Sequence, residues 1–71
     1  MFDYRKFKKD MNIRDHKVTK NGNIITIVPE NGTRGFLNAY ELIPGYENDL
    51  NFKGMDHYNT HIYSARFKIS K

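Results

Sequence analysis

Apolar residues near the N-terminus recur with a helical period. Tyr4, Phe7 and Met11 share one side of a helical wheel, a spacing typical of an amphipathic helix that buries one stripe. Asp3 precedes them, where a carboxylate complements the positive end of the helix dipole. The pattern predicts a short helix within residues 2–13 that ends near Met11 and docks on another element. The remaining face of the helix carries the cations Arg5, Lys6, Lys8 and Lys9.

The strongest strand signal lies at residues 23–28, which have the sequence NIITIV. β-Branched aliphatic residues favour extended backbone, and here they stand on both faces of the strand. Apolar residues on both faces are typical of an interior strand. Residues 17–20 are expected to form a shorter extended piece, and Asn21-Gly22 between the two segments is a turn signal.

A second Asn-Gly pair, Asn31-Gly32, follows the strong strand. This dipeptide favours the two-residue type I′ turn of a β-hairpin, which would pair Ile27 with Phe36. Residues 36–43 also show the apolar spacing of a helix, so strand and helix both remain open for this segment. We favour the hairpin because the turn signal directly follows a strand.

The second half of the chain divides into an irregular stretch and a regular one. Residues 44–56 combine Pro, Gly, Asn and Asp without periodicity, which predicts an acidic loop. Residues 60–70 alternate between two faces, which predicts a long final strand. The inner face of that strand would carry Tyr63, Ala65, Phe67 and Ile69, and its outer face Arg66 and Lys68.

Together these elements predict an α+β fold in one small domain over residues 1–71. A short N-terminal amphipathic helix would pack on a three- or four-stranded antiparallel sheet with an Asn-Gly hairpin. Large apolar residues from the helix and the strands would form the core. The predicted core is Phe7, Met11, Ile24, Ile25, Ile27, Val28, Phe36, Leu37, Leu42, Tyr63, Ala65, Phe67 and Ile69.

The composition of the chain excludes thiol chemistry and a membrane-spanning role. The chain has 71 residues and no Cys, which excludes disulfides and thiol chemistry. No apolar run approaches the roughly 18 residues of a membrane span, and no secretory signal follows Met1. We therefore expect a soluble cytoplasmic protein without membrane contact. The alternating strand at residues 60–70 could pair with a second copy of the chain, so we expect a monomer or a homodimer.

Motifs for catalysis and metal binding are weak. His57 and His61 beside Asp56 come nearest to a metal cluster, but such sites need three or four ligands of defined geometry. A chain of 71 residues also has little volume for a pocket that buries a substrate. We expect a non-enzymatic binding protein with no cofactor, no metal site and no catalytic residue.

Charge is distributed unevenly along the chain. The net charge is +4, and it is positive over residues 1–20 and 57–71 but negative between them. If the two basic ends meet in the fold, they form one surface that attracts phosphates. We therefore expect nucleic acid as the partner, bound by the N-terminal helix and the last strand. The contacting side chains would be Arg5, Lys6, Lys8, Lys9, Arg34, Arg66 and Lys68.

An alternative partner is a host protein, bound through the aromatic and acidic segment at residues 44–58. Aromatic residues are enriched at the centres of protein interfaces. Small size without a cofactor suits an inhibitor or regulator of the type encoded by phages and mobile elements. The contacting side chains would then be Tyr46, Glu47, Asp49, Phe52 and Tyr58.

Overall fold

The computed structural model describes residues 2–30, 33–34, 38–59 and 61–70, with the backbone alone at 33–34. Within these ranges one N-terminal α-helix packs on an antiparallel sheet, which confirms the predicted α+β fold. The elements in chain order are α1 (Tyr4–Ile13), β1 (His16–Asn21), β2 (Ile24–Pro29), β3 (Thr33–Arg34), a 3₁₀ helix (Ala39–Leu42), β4 (Leu50–Tyr58) and β5 (His61–Ile69). Neither described helix has the length and apolar character needed to cross a membrane.

Helix α1 begins and ends at identifiable caps. The Asp3 carboxylate accepts a hydrogen bond of 3.2 Å from the backbone N–H of Lys6, which satisfies one donor of the first turn. The helix runs two residues beyond the predicted end at Met11, to Ile13. Asp15 then adopts a left-handed φ of 61°, and this reversal leads the chain directly into β1. Strand β1 therefore starts beside the helix.

Strand β5 is the centre of the sheet. It pairs along its whole length with β4 on one edge, while β2 and then β3 follow each other along its other edge. Strand β1 pairs with the outer edge of β2, so the sheet is four strands wide. The Asn21-Gly22 turn joins β1 to β2 as predicted, and Gly22 supplies the positive φ of 63° that the turn requires.

The hairpin predicted at Asn31-Gly32 is not seen in the described part of the structure. Those two residues lie outside the described part of the chain, as does Phe36. Ile27 lies opposite Val18 on β1 and opposite Ala65 on β5. Both edges of β2 are therefore occupied, and the expected pairing of Ile27 with Phe36 is wrong. Of residues 36–43, the described part contains the 3₁₀ helix.

One face of the sheet is buried under α1 and the 3₁₀ helix. The predicted core members Phe7, Met11, Ile25, Ile27, Leu42, Ala65 and Phe67 are buried there. Val28 and Tyr63 were expected in the core but are 41% and 48% exposed, and Ile24 and Ile69 are half-buried. Leu37, like Phe36, lies outside the described residues. The prediction missed Val18, Ala39, Ile43, Leu50 and Ile62.

Two irregularities of register explain the errors at Leu50, Ile62 and Tyr63. Asp56 pairs with Ser64 and His57 pairs with Ile62, so Tyr63 is an extra residue on β5. Such a bulge reverses the alternation beyond it, which turns Ile62 into the core and leaves Tyr63 outside. Strict period-two alternation over residues 60–70 therefore assigned Tyr63 to the wrong face.

The acidic loop predicted at residues 44–56 extends only to Asp49, because β4 begins at Leu50. Leu50, Phe52 and Met55 lie opposite the inward-facing residues of β5. The pairing skips Lys53, so the inward spacing changes from two residues to three and conceals the strand period.

Candidate functional site

A groove of about 1140 Å³ lies between α1 and the edge strand β1. The helix contributes the stripe that runs from Tyr4 to Asn12, and β1 contributes His16 to Thr19. The stripe faces the groove because the adjoining side of the helix, with Phe7 and Met11, is buried against the sheet. We call this feature the α1–β1 groove.

Four exposed cations of α1 line the α1–β1 groove: Arg5, Lys6, Lys8 and Lys9. Lys17 adds a fifth at the β1 edge of the groove, where it alternates with the inward-facing Val18. Asp3 is the one carboxylate residue among the described lining residues, and it already accepts a hydrogen bond as the helix cap. The one ion pair within the described ranges joins Arg66 to Asp56, away from the groove. The charge of the groove is therefore available to a partner.

The side of the groove formed by β1 is partly apolar. Val18 is 8% exposed and faces the core beneath α1. The Lys20 Nζ lies 5.9 Å from the ring centroid of Tyr4, within cation–π range. A sixth cation thus borders the groove near the start of the helix.

His16 lies at the groove as a half-buried side chain. Its Nδ1 atom is buried and has no hydrogen-bond partner among the described residues. Burial lowers the pKa of His16 from its ordinary value of 6.5, because the imidazolium would lose hydration. At neutral pH the positive charge of the groove therefore comes from Arg and Lys.

The structure does not place the two predicted basic elements on a common face. Helix α1 packs on the face that contains Ala65 and Phe67. Arg66 and Lys68 alternate with those residues along β5, so they project from the opposite face of the sheet. The single surface expected from the helix and the last strand is corrected to one formed by the helix and β1.

Sequence reasoning missed Lys17 and Lys20 as members of this basic region. The connection between α1 and β1 is only Arg14-Asp15, so β1 has to remain close to the helix. That short connection was the available signal. For Arg34, the backbone pairs with His61, and its side chain lies outside the described part of the structure.

Two aromatic side chains of the alternative protein-binding segment already pack against other parts of this chain. The Tyr46 ring lies 4.9 Å from that of Phe7, and its hydroxyl donates a hydrogen bond to the Asp10 carboxylate. Burial, followed by the Asp10 hydrogen bond, raises the pKa of Tyr46 to about 12. Phe52 packs against the core. Tyr46 and Phe52 therefore present little free surface to a partner.

The other members of that segment differ in exposure and contacts. The Glu47 carboxylate accepts a 2.8 Å hydrogen bond from the backbone N–H of Gly45. The Asp49 carbonyl accepts a bond from the N–H of Ser70, which ties the segment to the end of β5. Tyr58 is 67% exposed and lies on a different element, β4. The five residues do not form one exposed loop.

Neither metal chemistry nor likeness to known proteins points to a use for the groove. Among the described residues, no three His, Asp or Glu side chains are grouped closely enough to hold a metal ion. No protein-family model, curated protein or solved structure matches the chain. The charge and position of the α1–β1 groove are therefore the basis for a functional proposal.

Proposed function

We propose that this chain is a non-enzymatic nucleic-acid-binding protein whose α1–β1 groove holds the phosphate backbone. The observation that carries the proposal is the set of five exposed cations among the described lining residues of the groove, against the single carboxylate of Asp3, which already caps the helix. Lys and Arg side chains that neutralise phosphates release condensed counterions, which supplies most of sequence-independent affinity. This groove provides that kind of contact.

The length of the groove suits a short run of phosphates. Helix α1 has ten residues and is therefore about 15 Å long. One strand of B-form DNA carries a phosphate about every 3.4 Å along the axis, so about four phosphates fit beside the helix. The number of groove cations is of the same order.

The groove chemistry favours binding to the backbone over reading of bases. Asn12 is the single side-chain amide among the described lining residues. Bidentate contacts from Asn, Gln and Arg to base edges carry most direct sequence readout. Contacts to phosphates fix position without discriminating sequence. We therefore propose weak sequence preference.

The burial of Tyr46 and Phe52 favours this proposal over the host-protein alternative. An interface hot spot needs accessible aromatic side chains that a partner can cover. Both rings already pack within this chain, against Phe7 and against the core respectively. The cations of the groove, in contrast, are exposed.

Salt dependence tests the proposal. For a fluorescein-labelled duplex of about 15 base pairs, four to five phosphate contacts give a slope of log K against log salt of about −3.5 to −4.5. A single strand of equal length should give a slope of about −3 to −4. Fluorescence anisotropy between about 50 and 200 mM salt measures both slopes. A slope near zero for both probes would contradict the proposal.

A further inference from the structure

The face of the sheet opposite α1 is not covered by either described helix. We call it the open face and define it by Thr26, Tyr58, Tyr63, Arg66 and Lys68. Arg66 lies opposite Thr26 on β2, and both are half-buried, while Lys68 is exposed. The open face therefore combines cations with the two most exposed tyrosines of the described residues.

The tyrosines lie at one end of the open face. The β5 bulge turns Tyr63 outward, and its ring stacks on that of His61 with centroids 6.5 Å apart and planes at 23°. Tyr58 lies directly opposite His61 on β4. Tyr58 and Tyr63 are 67% and 48% exposed. Exposed rings of this kind are stacking platforms for unpaired bases.

The Arg66 guanidinium is held in place at the middle of the open face. It lies over Gly54, where an added Cβ would stand 2.8 Å from Nη2. Its Nη1 lies 3.3 Å from the Asp56 carboxylate, which also accepts a 3.1 Å hydrogen bond from the Ser64 hydroxyl. An ion pair this exposed contributes little to stability. Its main effect is to position a guanidinium, a group that also stacks on bases.

The open face is continuous with the α1–β1 groove. Lys17 and Thr19 line the groove, and Thr19 lies opposite Thr26 on β2. Thr26 in turn lies opposite Arg66. A row of small side chains thus crosses the sheet from the edge of the groove to the Arg66 guanidinium.

We infer that the open face binds the bases of a single-stranded nucleic acid whose phosphates lie in the α1–β1 groove. The inference rests on the proposed function of that groove. A duplex keeps its bases paired and stacked, so it reaches the groove cations but not the tyrosines. The positive charges of Arg66 and Lys68 complement the negative charge of the nucleic-acid strand. The nearby Asp56 carboxylate is already paired with Arg66.

Three labelled probes of equal length separate the contributions of bases and phosphates. They are an oligothymidine of about 15 nucleotides, an abasic strand with the same phosphates, and a duplex. Stacking on aromatic residues contributes about 1–3 kcal/mol per base, so the wild-type protein should bind oligothymidine at least about tenfold more tightly than the abasic strand. Anisotropy at one fixed salt concentration gives all three affinities.

Substitutions at Tyr63 test the stacking directly. Tyr63→Ala should weaken oligothymidine binding about tenfold, the loss of one stacked base. It should leave the affinities for the abasic strand and the duplex within about twofold. Tyr63→Phe retains the ring and should bind oligothymidine like the wild type. Thermal unfolding of each variant confirms that the fold is retained.

Gly54→Ala provides an independent variant. The added methyl group displaces the flexible end of Arg66 rather than backbone atoms. Oligothymidine affinity should fall several-fold, with duplex affinity unchanged. The matched control is Lys53→Ala, because Lys53 is an exposed neighbour on the same strand.

The outcomes distinguish this inference from the function of the groove. Equal affinity for oligothymidine and the abasic strand would overturn the inference, while salt-dependent binding of both would still support the groove. Equal weakening of all three probes by Tyr63→Ala would show a structural role and also overturn it. If none of the three probes binds to the protein, both proposals are overturned.

Discussion

Replacing Lys8 and Lys9 together by Glu is expected to weaken duplex binding by at least about a hundredfold at about 50 mM salt. Each phosphate contact contributes about 0.9 to the slope of log K against log salt. Between about 1 M and about 50 mM salt, that slope raises the affinity about fifteenfold for each contact. Two contacts are lost, and two carboxylates then repel the phosphates. The slope of log K against log salt should also fall by about 2. Anisotropy titrations of the variant and the wild type measure both quantities.

The matched control is the double variant Arg14→Glu with Lys53→Glu. It changes the net charge by the same amount, but neither residue lines the α1–β1 groove. We expect it to weaken binding several-fold at most, through the long-range field. All four side chains are exposed, so each substitution should change the free energy of unfolding by about 0.5 kcal/mol or less. Equal weakening by both double variants would show that net charge, and not the groove, determines affinity.

Phe7→Ala is expected to abolish cooperative folding. Phe7 is fully buried, and its ring lies 5.4 Å from that of Phe2 and 4.9 Å from that of Tyr46. Removing a buried Phe side chain costs about 3–5 kcal/mol. A domain of this size has only about 3–5 kcal/mol of stability from its core. Thermal unfolding followed by circular dichroism should show a broad transition without the wild-type midpoint.

Ile13→Ala is the control for that experiment. Ile13 belongs to the same helix and is 79% exposed, so its truncation removes little buried surface. The thermal unfolding midpoint of Ile13→Ala should lie within a few degrees of the wild-type midpoint. In a small domain, a change of about 1 kcal/mol in the free energy of unfolding shifts the midpoint by about 4–8 °C. A wild-type midpoint for Phe7→Ala would contradict the role of Phe7 in docking α1 on the sheet.

The elements that could be predicted from the sequence are those with an unbroken hydrophobic period. Helix α1 follows the spacing of Phe7 and Met11, and β2 is an interior strand as its apolar faces indicated. The predictions failed where a bulge adds a residue, at Lys53 on β4 and Tyr63 on β5. A bulge is stabilised by tertiary pairing and leaves no local signal in the period.

Only the helix side of the candidate site could be predicted from the hydrophobic pattern. The helix cations follow from the amphipathic pattern, because they lie outside the buried stripe. The error was to join them to Arg66 and Lys68. The alternation that assigned those two side chains to the outer face of β5 already separated them from a helix that packs on the inner face. The connection of two residues between α1 and β1 was the better guide.

Amide chemical-shift mapping tests the central claim most directly. ¹⁵N-labelled protein is titrated with an unlabelled duplex, and the shift of each backbone N–H is followed to saturation. If phosphates bind in the α1–β1 groove, the largest changes will occur at residues 5–9 and 16–19, with little change at Lys53. Changes concentrated at residues 45–49 and β4, with α1 and β1 unaffected, would contradict the account.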